Sequence, residues 1–569
     1  MNYLQNERVL ILGLGISGLA MARWCVRCGA FVRVADTREN PSGLRGMKQE
    51  VPNLDFVAGE FTADLLNGGI TRVLRSPGLM PQDKGLQAVL AGAKEAGITV
   101  QGELDLFSEA LLQIDLQKIA DEETAQAKVL QERAEEAEQS IVMQLPEDEA
   151  AVDEENMDLG DDSEGVSLEV PLPAVLGYKP KVVAITGTNG KTTVTSLTAQ
   201  LIKRAGKTVI AAGNIGLAMM DALAQSVDAN QLPEVWVLEL SSFQLEGAKT
   251  FNPTVATILN VTQDHLDWHE SMENYVAAKG HIFGAQTIRV LNRDDAAVMK
   301  FVPEPIEEPV SKRKRVLKNT FLPLVTFGID KPTKAGDFGI AQNGGAAWLV
   351  QGIAADETTG DVGTTMNLLM PVDVLHIRGR HNASNALAAL ALASHVGCEM
   401  GPMLQALRTY RGESHRVALV DTVDGVEYID DSKGTNVGAT VAAIAGLGVD
   451  HRIVLILGGQ GKGQDFAPLA PMVAQYVKAA ILIGEDAKLI EKALEKTGVP
   501  LLHAVVLPEA VELCAQQAKA GDVVLLSPAC ASLDMFKDYA HRAQVFVDAV
   551  HALPKAEKHV PDSMVGGEQ

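Results

Sequence analysis

The stretch "VVAITGTNGKTTVTSL" (182–197) constrains this chain more than any other. Apolar residues run into a Gly-Thr-Asn-Gly turn, followed by Lys191, Thr192, Thr193 and a helical pattern. A glycine-rich turn between strand and helix lets backbone N–H groups approach phosphate, and the helix dipole adds positive potential there. Gly187 and Gly190 permit that approach, Lys191 can reach β- and γ-phosphate oxygens, and the Thr192 hydroxyl suits Mg²⁺. Without Lys191-Thr192-Thr193 such a turn would be ordinary; with them it predicts a phosphate site. The usual spacing G-x-x-x-x-G-K-[ST] needs glycine where Ile185 stands, so the loop is a shortened form of the pattern.

A strand feeding a helix through such a loop belongs to a parallel α/β sheet, and 569 residues are too many for one core. Residues 8–107 alternate apolar runs with helical stretches ("RVLILGLG", "FVRVADTR", "TRVLRSPG", "ITVQGELDLF"). A second set spans 176–412 ("KVVAITG", "KTVIAAG", "VWVLELS", "VATILNV", "IRVLN"), and a third follows ("GVEYIDDS", "HRIVLILGG", "AAILIGE", "VVLLSPA"). Three α/β domains are expected: a Rossmann-like unit at 1–108, a phosphate-loop, parallel-sheet unit at 176–412, and a Rossmann-like unit at 413–569.

Residues 109–175 break the rhythm. Their first half is rich in helix formers and reads as helix; the second, "LPEDEAAVDEENMDLGDDSEGVSLEVPLP", carries too little apolar content to build a core and reads as a flexible insertion. Between Asp115 and Glu169 stand 19 acidic against three basic residues, so most of the net charge of −24 sits in this segment. With no basic face elsewhere, nucleic acid is not an expected partner. The stretch 302–320 is Pro-rich, then basic, and reads as a surface loop. No leader pattern opens the chain, the apolar run 386–398 is too short to span a bilayer, and five scattered cysteines suggest no disulfide framework, so a cytoplasmic protein without membrane insertion is expected. Cys25 and Cys28 form a C-x-x-C with no second Cys/His pair nearby, which reads as helix packing.

"GLGISG" (13–18) follows a strand and opens a helix, and Asp36 ends the next strand. That satisfies the dinucleotide fingerprint, yet a glycine turn at a helix N-terminus holds any diphosphate, including that of a sugar nucleotide. "DTR" (36–38) and "RSPG" (75–78) place hydroxyl and guanidinium donors at neighbouring strand ends, which favours a sugar nucleotide over NAD; simple turn chemistry is the plainer account of each. In the second unit Glu239 sits near the end of "VWVLEL", and Asp264 and His265 follow "ATILNV". Strand ends of a parallel sheet converge on one crevice, so Glu239 and His265 are candidates to share a Mg²⁺ region with Thr192. Taken singly, each would read as a surface polar group.

The motifs "AITGTNGKTTVTSL", "AAGNIG", "VLELSSFQLE", "NVTQDHLDWH", "YVAAKGHIF", "GRHNASNALAALALA", "SHRVALV", "DDSKGTN", "GGQGKGQDF" and "LSPACASLDMF" occur in this order. Together they resemble the Mur ligases, ATP-dependent amide ligases of cell-wall synthesis, and the shortened phosphate loop is that family's form. The likeness covers nearly all of the chain except 109–175 and the stretch near 302–320. Within the family, "GLGISG", "DTR", "RSPG" and "SPACASLD" resemble the branch acting on UDP-N-acetylmuramoyl-L-alanine (UDP-MurNAc-L-Ala) and D-glutamate.

The resemblance implies a monomer in which the substrate carboxylate attacks the γ-phosphate of ATP, and the amine of D-glutamate captures the acyl phosphate. It assigns ATP to Gly187, Thr188, Asn189, Gly190, Lys191, Thr192, Thr193, Asn214, Asn382, Asn385, Arg416, Asp431 and Lys433. Two Mg²⁺ ions fall to Thr192, Glu239, His265 and Lys279, the last as a CO₂-derived carbamate that turns a cation into an oxygen ligand; from the sequence alone Lys279 is one lysine on a helix. Lys191, Glu239, His265, Lys279 and Lys433 form the implied catalytic set. The UDP-sugar falls to Ile16, Ser17, Asp36, Thr37, Arg38, Ser76 and Gly78, and D-glutamate to Thr435, Lys462, Ser532 and Tyr539. Other members carry Phe where Tyr539 stands and Asp where Gln460 stands. Two other classes compete. A nicotinamide oxidoreductase built on "GLGISG" has no need of Lys191, Glu239 and His265, and a regulatory ATP-binding module has no need of Lys462 and Ser532.

Overall fold

Fully buried apolar strands set the architecture. β8 (Val235–Glu239) and β19 (Ile453–Gly458) are buried at every position, as parallel strands covered by helices on both faces must be. The computed structural model describes residues 2–142, 174–303, 306–311, 314–318, 324–354 and 364–554. Its first unit is a five-stranded parallel sheet of β1 (Arg8–Leu12), β2 (Phe31–Asp36), β3 (Asp55–Ala58), β4 (Arg72–Arg75) and β5 (Thr99–Gln101), in the order β3-β2-β1-β4-β5. The order reverses at β1, and the loop that follows β1 is "GLGISG".

The second unit contains β6 (Lys181–Thr186), β7 (Val209–Gly213), β8, β9 (Val255–Ile258) and β10 (Ile288–Asn292). A separate hairpin, β11 (Ile306–Ser311) with β12 (Lys314–Lys318), follows. The unit ends with β13 (Leu324–Phe327), β14 (Phe338–Asn343), β15 (Ala346–Ala354) and β16 (Thr364–Pro371). The nine-stranded order is β16-β15-β14-β13-β10-β9-β6-β8-β7, with β15 alone running against the rest, antiparallel to both β14 and β16. From β6 the chain passes to β7 and β8 on one side and then to β9, β10 and β13 on the other, so the crevice opens where the phosphate loop begins. The third unit adds β17 (Ala418–Val423), β18 (Val426–Asp430), β19, β20 (Val477–Ile483), β21 (Leu501–His503) and β22 (Val523–Leu526), in the order β17-β18-β22-β19-β20-β21 with only β17 antiparallel. The three α/β units expected from the sequence are present.

Three features differ from the sequence reading. The antiparallel extension β14–β16 was not singled out, because its strands are not continuous apolar runs. The described part of 302–320 includes the hairpin β11–β12, where backbone pairing replaces the expected loop. The helix expected in the first half of 109–175 begins earlier, as Glu103–Val142, because Leu104, Leu106, Phe107, Ala110 and Ile114 are buried and draw its first turns onto the core. Further along, the Asp115 carboxylate accepts the Tyr178 N–H at 2.7 Å and the Glu122 carboxylate accepts the Leu176 N–H at 2.8 Å. The acidic stretch 143–173 lies outside the described residues. Replacing 143–172 by a short Gly/Ser bridge should leave thermal unfolding unchanged. Cutting back to 112 removes Ile114, Asp115 and Glu122, and calorimetry should then show Tm lower by roughly 5 °C or more.

The first two units share one apolar core: Trp24 and Cys25 on the helix Ile16–Arg27 and Phe107 pack in the same cluster as Met219, Met220 and Trp236. Burial pushes the Cys28 thiol up to about 11, in keeping with its packing role. The third unit has its own clusters. It meets the second through polar contacts and the close approach of Gly446 to Gly379 and His381, while the apolar clusters of the two stay separate, a pairing that permits relative motion of the units.

Candidate active site

Gly190 caps the helix Lys191–Arg204 with φ of +84°, and a Cβ there would stand 2.8 Å from Asn385 Oδ1. Glycine is therefore required both by conformation and by the approach of Asn385. The loop is pinned from below by the segment after β9. Thr188 N–H donates to the Asn260 carbonyl at 2.9 Å, and Asn189 N–H to Asn260 Oδ1 at 2.9 Å. The Asn260 amide returns a bond to the Asn189 carbonyl at 3.0 Å. Thr188 Oγ1 donates to the Thr262 carbonyl at 3.1 Å and lies 3.2 Å from the buried Tyr275 hydroxyl. Asn260, Thr262 and Tyr275 were not among the residues picked from sequence. The signal for Asn260 was available, since it follows β9 next to the switch point.

Three side chains close the crevice. Lys191 Nζ donates to the Gly187 and Thr188 carbonyls, each at 2.8 Å. Burial pushes its pKa down to about 8, against the pull of Glu239. Lys279, 1% exposed, donates to the Gly187 carbonyl at 3.1 Å and lies 4.4 Å from the centre of the Tyr275 ring. Burial, followed by the charge of Lys191, holds it well below the ordinary lysine range, with Asp264 opposing. Glu239, 2% exposed, accepts from Asn214 Nδ2 at 2.9 Å through Oε1, while its buried Oε2 has no partner. A buried carboxylate oxygen left over in this way is a donor atom for a cation.

His265 takes a left-handed conformation (φ +52°) at the head of the turn Leu266–His269. Its ring rests against Phe243 at 4.8 Å, and Nε2 lies 3.6 Å from Asp264 Oδ2. Burial lowers its pKa, which keeps the imidazole neutral and able to ligate. Among the described residues no three His, Cys, Asp or Glu side chains are grouped so as to hold a metal by themselves. A hard cation would suit the unpartnered Glu239 Oε2, with the Thr192 hydroxyl as a further oxygen this chain could offer, and the glycine-rich loop would suit a nucleotide's phosphates.

The third unit completes the crevice. Arg416 Nη2 donates to Thr192 Oγ1 at 2.9 Å. Asp431 is buried, accepts from Ser527 Oγ at 2.7 Å, and is pushed by burial up to about 7. A cavity of about 450 Å³ between the units is lined by Asn189, Gly190, Asn382, Asn385, Arg416 and Lys433, among others. Asn385 Nδ2 donates to Asn382 Oδ1 at 3.1 Å. Lys433 Nζ lies 5.0 Å from the centre of the Tyr539 ring, and the Lys433 carbonyl accepts the Thr435 N–H at 2.9 Å. Gln460 and Ala531 exchange two backbone bonds, which brings the loop of Lys462 beside buried Ser532. Lys462 itself is exposed, with φ of +52°.

In the first unit Asp36, 2% exposed, accepts the Leu14 N–H at 2.7 Å and two bonds from the Arg38 guanidinium at 2.8 Å. Burial alone would raise its carboxyl, but the Arg38 bonds and the backbone N–H groups hold it below the usual range. Buried Ser76 approaches the "GLGISG" turn, with Oγ 3.7 Å from where a Gly15 Cβ would be. Ile16 (79% exposed), Thr37 and Gly78 are open to solvent, and Ser17 lies near the buried Glu103 carboxyl.

Three family models cover most of the chain: "Mur ligase MurD-like, N-terminal domain" matches 7–102, "Mur ligase middle domain" 185–393, and "Mur ligase, glutamate ligase domain" 415–530. The UDP-N-acetylmuramoylalanine--D-glutamate ligase of Polaromonas sp. strain JS666 is 50% identical over 593 residues, covering 98% of this chain and 99% of that one. The ligase of the same name from Albidiferax ferrireducens is 50% identical over 98% of both chains. That of Burkholderia cenocepacia is 49% identical over 96% of this chain and 97% of its own. With its three units matched in order and half its residues shared from end to end, this chain belongs to the Mur ligase family.

Proposed function

We infer that the chain is an ATP-dependent acid–amino-acid ligase that adds D-glutamate to UDP-MurNAc-L-Ala in peptidoglycan precursor synthesis. The observation that carries this reading is the identity of about half its residues, end to end, with ligases of that name. Mur ligases depend on ATP and Mg²⁺. We assign ATP to the phosphate loop 187–193 with Asn214, Asn382, Asn385, Arg416, Asp431 and Lys433, the UDP-sugar to Ile16, Ser17, Asp36, Thr37, Arg38, Ser76 and Gly78, and D-glutamate to Thr435, Lys462, Ser532 and Tyr539.

Mg²⁺ bound at Glu239 and Thr192 would neutralise triphosphate charge. Lys279 as a carbamate, with His265, would hold a second ion, and the lowered basicity of Lys279 supports that role, since only a neutral amine adds CO₂. The chain's own side chains do the rest. Lys191 and Arg416 draw the triphosphate and the substrate carboxylate, two anions, into one crevice. The carboxylate oxygen bonds to the γ-phosphorus, and the bond to the β,γ-bridging oxygen breaks, releasing ADP. The neutral amine of D-glutamate then adds to the acyl carbon, phosphate departs, and the amine proton is lost. Closing the second and third units over the mixed anhydride excludes the water that would hydrolyse it. A cytoplasmic monomer suits such soluble substrates, and no helix among the described residues is long and apolar enough to cross a membrane.

The test is omission. Phosphate release from ATP by the purified chain should require both UDP-MurNAc-L-Ala and D-glutamate. Release at the same rate with L-glutamate removes the stereospecific assignment, and no ADP with the full set removes the ligase assignment.

A further inference from the structure

The helix Val437–Gly448 of the third unit presents its first turn to the phosphate loop of the second. Asn436 caps it: Oδ1 accepts the Ala439 N–H at 2.8 Å, which fixes the amide and turns its NH₂ outward. That NH₂ lies 3.3 Å from Asn189 Oδ1 in the phosphate loop and 3.5 Å from Asp264 Oδ2 in the loop after β9. Two N–H bonds thus meet two acceptors from separate segments of the second unit. The next residue ties the cap to the amino-acid side. Val437 N–H donates to Gln464 Oε1 at 3.0 Å, and Gln464 Nε2 donates to the Gly461 carbonyl at 2.9 Å, beside Lys462. The approach is tight, since a Cβ on Gly438 would stand 2.5 Å from Thr262 Oγ1, and Thr262 N–H is bonded to Thr188 Oγ1 at 3.0 Å.

We propose that Asn436 and Gly438 form the seat on which the third unit docks against the phosphate loop, registering the amino-acid loop against the nucleotide loop; this deepens, and rests on, the ligase reading above. Asn436 is a positioning residue that acts through Asn189 and Asp264. Because the second and third units have separate cores, their relative placement draws on polar contacts such as these and the Arg416–Thr192 bond, beside the close packing of Gly446 against Gly379 and His381. A displacement of about 1 Å between reacting groups costs on the order of 10²-fold in rate, so a seat of this kind acts on turnover far more than on stability.

Two variants separate docking from folding. Asn436→Asp keeps the N-cap, for which Asp and Asn serve equally, but turns a carboxylate oxygen toward Asp264 and the Asn189 oxygen. Gly438→Ala puts a better helix former in the helix but forces Cβ into Thr262. Both should keep Tm within about 2 °C of the parent while kcat falls roughly 10- to 100-fold and the KM for D-glutamate rises. Turnover within about threefold of the parent in both variants, or a loss of turnover matched by a loss of Tm, overturns the proposal. Should the parent form no ADP, the ligase reading fails by itself. Calorimetry with a non-hydrolysable ATP analogue then decides: binding by Asn436→Asp weaker by about fivefold or more supports the seat, and equal binding overturns it.

Discussion

Lys279→Met should retain the fold and lose nearly all turnover, by roughly 10³-fold, or about 4 kcal/mol of transition-state stabilisation. Lys279 is 1% exposed, and its Nζ faces the Gly187 carbonyl and the Tyr275 ring. Among the described residues no carboxylate pairs with it, and after burial the nearby charge of Lys191 adds to the cost of an ammonium there. Burial therefore favours the free amine, which adds CO₂ as R–NH₂ + CO₂ → R–NH–COO⁻ + H⁺. Methionine has similar length, carries no charge to bury and cannot form the carbamate, so Tm should hold or rise while phosphate release collapses. Lys279→Arg should be as inactive and also less stable, because a guanidinium cannot shed its proton in a buried site. A ¹³C resonance from the parent equilibrated with ¹³C-bicarbonate, absent in Lys279→Met, provides a readout independent of turnover. Activity in Lys279→Met above about a tenth of the parent would defeat the assignment of Lys279 to the metal region.

The parts of this site written as local patterns were legible in the sequence. Gly190, Lys191 and Thr192 are neighbours on a strand-turn-helix, and the apolar runs that become β6, β8 and β9 show where their loops converge. The basicity of Lys279 was not legible, because it depends on burial against Tyr275 and on Lys191, 88 positions away in the sequence. The place of Asn260 directly after β9 was legible, but its pairing with the phosphate loop was not, nor was the seat at Asn436, since each consists of polar pairs between segments with no common motif. The helix start at Glu103 was misplaced for a related reason. Its acidic face dominates the composition of 109–142, whereas the residues that place it, Phe107 and Ile114, bury themselves in a core shared with the second unit. Composition reports on what faces water, and the boundary is set by what does not.

Glu239→Gln tests the metal region from the other side, and it should move activity and stability in opposite directions. The carboxylate sits at the end of β8, in a strand buried at every position, with Asn214 bonded to Oε1 and Oε2 unpartnered. A buried, half-satisfied anion destabilises the chain when no cation is bound. Glutamine has the same shape, can still accept from Asn214 through its carbonyl oxygen, and removes the charge, so Tm in the absence of Mg²⁺ should stay the same or rise by a few degrees. Turnover should fall by roughly 10²- to 10³-fold, because the oxygen that would neutralise the triphosphate through Mg²⁺ becomes a neutral amide. The Mg²⁺ dependence of Tm is a further readout: the parent should gain stability on adding Mg²⁺ with an ATP analogue, and Glu239→Gln should gain much less. A glutamine variant that both turns over normally and is stabilised by Mg²⁺ to the parent's extent would place the ion elsewhere. The same carboxylate would then need another reason to be buried beside Lys191 with one oxygen unpartnered, and no donor stands within hydrogen-bonding distance of that oxygen among the described residues.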